Sequence, residues 1–546
     1  MMFEETLLPD PQNRLGMIAE IRLQINEDLF EMTREWRREI KSNAPLEISF
    51  RAVDLMDRFL ISYKGDQKLN PEQVMWAAFM LAAKLTRAKC FPLKFFAKRK
   101  DYPQYIKKIR EIELLFISAL DGDFDFLTVF HYLQYFLQHA SEMGNLNEDV
   151  VYRLGQYAIT HTYLVQTFSS LEIALGVWSL FADEKSWEDR PPSFPHSIVK
   201  IRDFLQQKVA QSDQNFDLKK HQRVLSLSIP RWPRRHPCEP LPMKMKDLTL
   251  LKVLGQGVNG LVHLYQTRSN RPKKFAVKKF HCDEEDVNYS QYGVPSEFLR
   301  DLSITRRNDS LQLISLCGFD YLPEKKSLYM ILEYGGYSLH EFIYNSDSPL
   351  QKNRIDATRL IAFQILSGLH SLHQRGYLHR DLKPANVVLK SICVGNQETY
   401  QVQLIDFGLA KQIRTELRTP RMVTLWYRPP EISSDSEYDE KTDIWSLGCI
   451  IVEMLKGDSF LATDCGEDED EKHLAHIKEV FSFDDEGRIE PRKLIGLLPV
   501  FAENRHLLDL LAQIFVFNPK ERISARDAMN HPFFAVLQKA KIEKNI

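Results

Sequence analysis

The sequence predicts two folded parts in series: an all-α helical domain, then a two-lobed α+β domain whose small β-rich lobe precedes a larger helical one. Three observations carry this. Up to about residue 210, apolar residues recur at three- and four-residue spacing with almost no β-type alternation. Pro230, Pro233, Pro237, Pro240 and Pro242 then break any helix. Beyond Met243, short alternating runs flank a glycine-rich turn, and helical spacing returns from Ala357. A chain of 546 residues is also too long for one hydrophobic core.

In the first part the spacing predicts helices over Ile18–Ile40, Ile48–Tyr63, Pro71–Leu85, Tyr105–Leu120, Phe126–Ala140, Val150–Phe168, Leu171–Phe181 and Ser197–Val209. Pro71 suits a first helical position behind a capping Asn70. The expected division is a helical domain over 1–210, a proline-containing linker over 211–246, the two-lobed domain over 247–536 and a tail over 537–546. Arg231, Arg234 and Arg235 charge the linker, which reads as a solvated tether, with a nuclear address as the alternative. In the second part Leu248–Leu254, Leu261–Gln266, Lys274–Phe280 and Leu328–Glu333 read as strands. The acidic run from Asp464 to Glu471 reads as a solvated loop.

Bulk properties exclude several classes. Hydrophobic residues at 44% and charged residues at 27% fit an ordinary globular protein, and a net charge of -2 gives no bulk attraction to nucleic acid or anionic membrane. Seven cysteines without a C-x-x-C pair read as reduced thiols, so the expected location is the nucleus or cytoplasm. Met1–Pro11 carries Glu4, Glu5 and Asp10 and does not read as a signal peptide. The most apolar stretch, Val74–Leu85, contains Lys84 and is too short to span a bilayer.

The chemistry lies in the second part. Gly255, Gly257, Gly260 and Val262 fit G-x-G-x-x-G-x-V between two strands, where glycines let main-chain N–H groups approach phosphates. The strand-on-both-sides setting suits a hairpin over a nucleotide, and the Walker-type Gly-Lys-Ser/Thr ending is absent. Ala276 and Lys278 follow in Phe-Ala-Val-Lys: a strand lysine can pair with phosphates, and a small alanine leaves room for an adenine ring. The strongest signal is Leu378-His-Arg-Asp381-Leu-Lys383-Pro-Ala-Asn386. Asp381 is placed to accept a hydroxyl proton, Lys383 to neutralise charge on a phosphoryl group, and Asn386 to hold a metal ion. Asp406, in Asp-Phe-Gly, supplies the main metal carboxylate. Together these form a phosphoryl-transfer set.

In this order the motifs make residues 247–536 resemble a eukaryotic protein kinase. Pro429-Pro-Glu431 stands where that family has Ala-Pro-Glu, Asp443-Ile-Trp-Ser-Leu-Gly448 resembles its central helix, and Arg522 is the expected partner of Glu431. The resemblance implies ATP and Mg2+ as cofactors and protein substrates, and it adds Glu333 and Gly335, at the end of a strand, to the ATP-binding set. Gly293-Val-Pro-Ser-Glu-Phe-Leu299-Arg300-Asp301 and Val423-Thr-Leu-Trp-Tyr-Arg428 are similar to segments of cyclin-dependent kinases. That resemblance implies transfer to Ser or Thr followed by proline, with Thr419 as activating phosphorylation site and Arg300, Arg380 and Lys411 around its phosphate. Three departures stand out. The acid expected to pair with Lys278 is Asp301, one methylene shorter than the usual Glu; Val258-Asn259 replaces the inhibitory Thr-Tyr; and Lys390–Gln403 is longer than usual, a feature shared with transcriptional relatives.

Asp57-Arg-Phe-Leu60, Ala82-Ala-Lys84 and Glu113 resemble parts of a cyclin box, with a second helical repeat over about Leu146–Val209. The resemblance makes Lys84 and Glu113 the pair that grips the kinase helix, and Leu299 the apolar residue inserted into the cyclin. A tether of this length reaches roughly 30 Å as a flexible coil, enough for docking within one chain at an effective concentration on the order of millimolar. The competing readings are a pseudokinase scaffold that recruits partners through the cyclin-like half, and a helical half that is another kind of docking bundle. Lys278, Asp381, Asn386 and Asp406 are all present, which argues for the enzyme.

Overall fold

A computed structural model describes residues 44–65, 69–86, 102–124, 128–139, 148–160, 169–181, 195–211, 241, 243–257, 260–282, 293–308, 310–345, 353–394, 397–412, 424–434, 438–463, 469–484, 487–489, 494–496 and 504–537. The expected helix Ile18–Ile40, the Val258-Asn259 turn, Thr419, most of the linker and nearly all of the tail lie outside the described residues. The chain divides into two compact units, Met1–Glu239 with Tyr292–Val294, and Pro240–Gln291 with Pro295–Ile546.

The described residues 44–211 of the first unit are helical: α1 (Ala44–Ser62), α2 (Pro71–Thr86), α3 (Tyr102–Ala119), α4 (Val129–His139), α5 (Glu148–Thr160), α6 (Ser170–Ser179) and α7 (His196–Gln211). α2 starts where the sequence places it, because Asn70 Oδ1 accepts the N–H groups of Glu72 (2.9 Å) and Gln73 (3.3 Å). Its Ala77, Ala78, Phe79, Leu81 and Ala82 are all buried, so small residues let α1 and α3 close on it. Phe59 of α1 stacks on Phe116 of α3 at 4.0 Å. α6 begins with a Ser169–Glu172 capping box and packs against α4, α5 and α7. A side chain at Gly176 would collide with Ile201, so glycine sets the α6–α7 approach.

The second unit opens with a five-stranded antiparallel sheet in the order β1-β2-β3-β5-β4: β1 (Leu248–Gly257), β2 (Gly260–Thr267), β3 (Lys274–His281), β4 (Leu316–Leu322) and β5 (Ser327–Glu333). Phe275 and Val277 of β3 join Met245, Leu248, Tyr329 and Ile331 in a core on one face, while Lys278 alternates to the other. Helix α8 (Ser296–Arg306) lies between β3 and β4, with Phe298 edge-on to Phe280 of β3 at 5.1 Å. The last residues expected to be linker are fixed to this sheet. Met243 N–H donates to Cys317 O (3.2 Å), Lys244 Nζ to Phe319 O (3.1 Å), and Met245 N–H to Asp320 Oδ2 (3.1 Å). The open edge of β4 offers unpaired main-chain groups, and Gly318 lacks the Cβ that Met243 O would strike.

The larger lobe follows: β6 (Tyr337–Ser338), α9 (Leu339–Tyr344), α10 (Arg354–Gln374), β7 (Tyr377–Leu378), β8 (Val387–Val394), β9 (Gln397–Leu404), β10 (Lys411–Gln412), α11 (Pro430–Ser433), α12 (Lys441–Lys456), α13 (Glu469–Phe481), α14 (Arg505–Ile514) and α15 (Ala525–Met529). The lengthened segment is a regular hairpin, β8 pairing with β9 from Val387↔Leu404 to Val394↔Gln397. Gln364 of α10 closes part of its free edge, donating to Tyr400 O (2.9 Å) and accepting from Val402 N–H (3.1 Å). α12 is buried from Thr442 to Leu455 and is the axis of the lobe. Its Trp445 meets Phe481 and Phe515 at 5.5 and 5.1 Å.

Candidate active site

The helix α12 fixes the catalytic loop through Asp443. Its Oδ2 accepts the N–H of His379 (2.8 Å) and its Oδ1 that of Arg380 (2.9 Å), while His373 Nε2 lies 2.8 Å from Oδ2. Burial alone would raise the Asp443 pKa, but the His373 and Arg380 hydrogen bonds outweigh it and hold the carboxyl below the usual range. Arg380 adopts a left-handed backbone (φ 67°), which turns the chain and presents Asp381.

Asp381 is held from both sides. Oδ1 accepts the Thr424 hydroxyl at 2.6 Å; Oδ2 accepts from Asn386 Nδ2 at 2.9 Å and from Lys383 Nζ at 2.8 Å. Lys383 also donates to Thr424 Oγ1 at 3.0 Å. One carboxylate, one cation, one amide and one hydroxyl thus converge, the set needed to take a proton from a hydroxyl and to balance charge beside it. The Thr424 contact was not legible as a catalytic one from the sequence; its place in the Thr-Leu-Trp-Tyr-Arg segment was the available signal.

Lys278 Nζ lies between two carboxylates, 3.0 Å from Asp301 Oδ2 and 2.7 Å from Asp406 Oδ1. The shorter acid still reaches the lysine, and its other oxygen accepts Phe407 N–H at 3.3 Å. Burial opposes the Lys278 charge, yet Asp301 and Asp406 overcome it and raise the pKa above the ordinary lysine value. Burial raises the Asp301 pKa, and Asp406 adds to that; Lys278 instead holds Asp406 low against its own burial. Asp406 adopts a left-handed backbone (φ 62°) at the end of β9.

These residues fit magnesium-ATP. The Asp406 side chain is 32% exposed, against 1% for Asp301, so of the two it is the carboxylate open to a ligand. With the amide of Asn386 it offers hard oxygen donors, and magnesium takes one or two protein ligands together with substrate phosphates. Among the described residues no cluster of three or more His, Cys, Asp or Glu suggests an all-protein metal cage. Asp406 and Asn386 would hold the ion, which would neutralise charge on the phosphates; Lys278 and the glycine turn of β1 and β2 would hold the phosphates. Gly257 pairs with Gly260 at the end of that hairpin, and space around Gly255 is open. Val262 and Ala276 lie on β2 and β3, with Ala276 opposite Leu264 and Leu332.

The Glu333 side chain has a structural task, which leaves a nucleotide contact to the main chain. Its Oε1 accepts from Ser315 N–H (3.0 Å) and Gln403 Nε2 (2.7 Å), so its side chain ties β5 to its neighbours. Gly335 and Gly336 admit β8: side chains there would strike Val388 and the Leu389 carbonyl, and Gly336 has φ +94°.

The end of the acidic run, Glu469–Glu471, is helix and not loop, while 464–468 lie outside the described residues. Glu469 and Asp470 begin α13, and both pair with Arg428 Nη1, at 3.2 and 2.5 Å. His473 of the same helix lies 3.1 Å from the Arg428 carbonyl, and burial pushes its pKa down to about 4. Carboxylates at a helix start are favoured by its dipole, and the buried guanidinium needs their charge. Arg522 Nη1 and Nη2 meet Glu431 Oε1 and Oε2 at 2.7 and 2.9 Å, in the forked geometry of a bidentate pair.

Of the expected phosphate-binding cations, Arg300 donates from Nε to Gly408 O at 2.7 Å and Lys411 donates to Tyr438 Oη at 3.1 Å. Arg300 is pushed down to about 10, chiefly by burial. Leu299 is buried. In the first unit, Lys84 Nζ pairs with Glu113 Oε1, and Glu113 Oε2 accepts the N–H of Val294 at 3.2 Å. A side chain at Gly293 (φ +71°) would strike Glu113. Burial outweighs Lys84 and raises the Glu113 pKa.

Comparison with known proteins agrees with this geometry. The cyclin-dependent kinase B2-1 of Oryza sativa subsp. japonica is 30% identical over 307 residues, spanning 52% of this chain and 88% of that protein. Residues 248–534 match the protein kinase domain family. These residues hold the whole constellation from the glycine turn to Arg522, and the chain belongs to the protein kinase family.

Proposed function

We propose that this protein is a serine/threonine kinase of the cyclin-dependent type, directed to Ser/Thr-Pro sequences and activated in cis by its own cyclin-like helical unit. The catalytic part rests on the convergence of Thr424, Lys383 and Asn386 on Asp381. In the forward step Asp381 accepts the proton of a substrate hydroxyl, and Lys383 balances charge on the group in transit. Lys278, held by Asp301, orients phosphates. The proline preference rests on the likeness of the Thr424–Arg428 segment to that of cyclin-dependent kinases; the relative's name, cyclin-dependent kinase B2-1, supports the kinase type.

The observation that carries cis activation is the grouping of Gly293 and Val294 with the helices, where Glu113 takes the Val294 N–H. Ser296, two residues on, opens the helix that carries Asp301. In this reading the Lys84–Glu113 pair acts on the Gly293–Val294 segment, and through it on the helix that carries Asp301. Thr419 is proposed as the activating phosphorylation site, read by intact mass and phosphosite mapping of active enzyme.

The test is Leu299→Asp in the full chain, assayed with magnesium-ATP on matched Ser-Pro and Ser-Ala peptides. A carboxylate at a buried apolar position costs several kcal/mol, so activity on the Ser-Pro peptide is expected to fall at least ~10-fold. Unchanged activity would remove the docking role of Leu299, and equal rates on the two peptides would remove proline direction.

A further inference from the structure

Tyr438 stands between the segment after α11 and the start of α12, and two buried cations converge on it. Lys411 Nζ donates to its hydroxyl at 3.1 Å and lies 4.8 Å from the ring centroid. The Arg380 guanidinium lies 5.6 Å from the same centroid. Arg380 and Lys411 are 1% and 7% exposed. Two buried like charges in one place repel, and the negative face of an aromatic ring offsets part of that cost.

The two cations sit at sensitive points. Arg380 immediately precedes Asp381 and has a left-handed backbone. Lys411 lies in β10, paired with Leu378 of β7, the residue before His379. Anything that holds both side chains therefore holds the catalytic loop against the strand that follows Asp-Phe-Gly. A phosphate would do this by charge; a phenol does it with a π face and one hydroxyl.

We propose that Tyr438 is a positioning residue that gathers Arg380 and Lys411, so that alignment of Asp381 depends only partly on a phosphate at Thr419. The proposal deepens the kinase reading above and rests on it. The measurement is a double-mutant cycle in the full chain, with kcat and peptide KM for wild type, Thr419→Ala, Tyr438→Leu and the double variant. Tyr438→Phe and Lys411→Met are each added in the Thr419→Ala background.

Thr419→Ala alone is expected to keep activity within about tenfold of wild type. In that background Tyr438→Leu is expected to lower kcat about 30-fold, the size of a desolvated cation–π contact, with KM little changed. In the phosphorylated enzyme the same substitution should cost only a few-fold. Tyr438→Phe should retain most of the activity because the ring stays, and Lys411→Met should reproduce part of the loss. Equal losses from Tyr438→Leu in both backgrounds would mark a merely structural tyrosine and overturn the proposal. So would an inactive Thr419→Ala enzyme, or a phenylalanine variant no better than leucine. If Tyr438→Leu fails to fold, the Phe and Lys411→Met arms decide alone. An inactive wild type would fault the kinase reading itself and the proposal with it.

Discussion

In the proposed reaction Asp381 is the residue on which the chemistry turns, and its surroundings fit one acid to that role. Its two oxygens are held by three different side chains, so the carboxylate is fixed before a substrate arrives. Asp381→Asn keeps the shape and removes the proton acceptor. Phosphotransfer is expected to fall by about a thousandfold, while nucleotide affinity, measured by titration calorimetry, stays within a few-fold because Lys278 and Asp406 are untouched. Retention of more than a few per cent of turnover would contradict the assignment. Lys278, Asp381, Asn386 and Asp406 were legible in the sequence because each belongs to a short motif with fixed internal spacing. The reach of Asp301 to Lys278 was not, because one missing methylene is made up by backbone placement that spacing does not encode. The same holds for Glu333, whose side chain is taken by Ser315 and Gln403, partners that lie 18 and 70 residues away.

At the scale of elements, the strands and most helices follow from periodicity, and the surprises are where an element meets a distant one. The acidic run shows this: charge density reads as solvated, yet Glu469 and Asp470 turn inward as the first residues of α13 because Arg428 is buried opposite them. Arg428 ends the segment that begins with Thr424, so the pair braces the chain expected to carry substrate. Replacing both acids, Glu469→Gln with Asp470→Asn, is expected to raise peptide KM by roughly 3- to 10-fold with kcat nearly unchanged, read by steady-state kinetics on one Ser-Pro peptide. A fall in kcat at constant KM would place the brace elsewhere. Met243–Met245 gives a second case. Proline-rich flanks read as tether, but the edge of β4 accepts the chain because Gly318 leaves room. The long hairpin β8–β9 could be seen as added length only; that Gln364 would finish its edge needed the fold.

At the scale of the whole molecule, the second unit carries the protein kinase fold, and the first, which includes Gly293 and Val294, is helical across its described residues 44–211. The sequence indicated both halves through a change of periodicity and a run of prolines. It indicated Lys84 and Glu113 only by resemblance, since a lysine and a glutamate 29 residues apart carry no signal of their own. The two do pair, and Glu113 takes the Val294 N–H; a buried pair holding a main-chain N–H is worth most when both partners remain, because the survivor of a single loss is left uncompensated. The central claim is that one chain is both kinase and activator. The direct measurement is initial velocity against enzyme concentration with magnesium-ATP and a Ser-Pro peptide, for the full chain and for Glu113→Ala. The expected result is constant specific activity on dilution and at least ~10-fold lower activity in the variant. Specific activity that falls on dilution, or a variant as active as the wild type, would contradict activation within the chain.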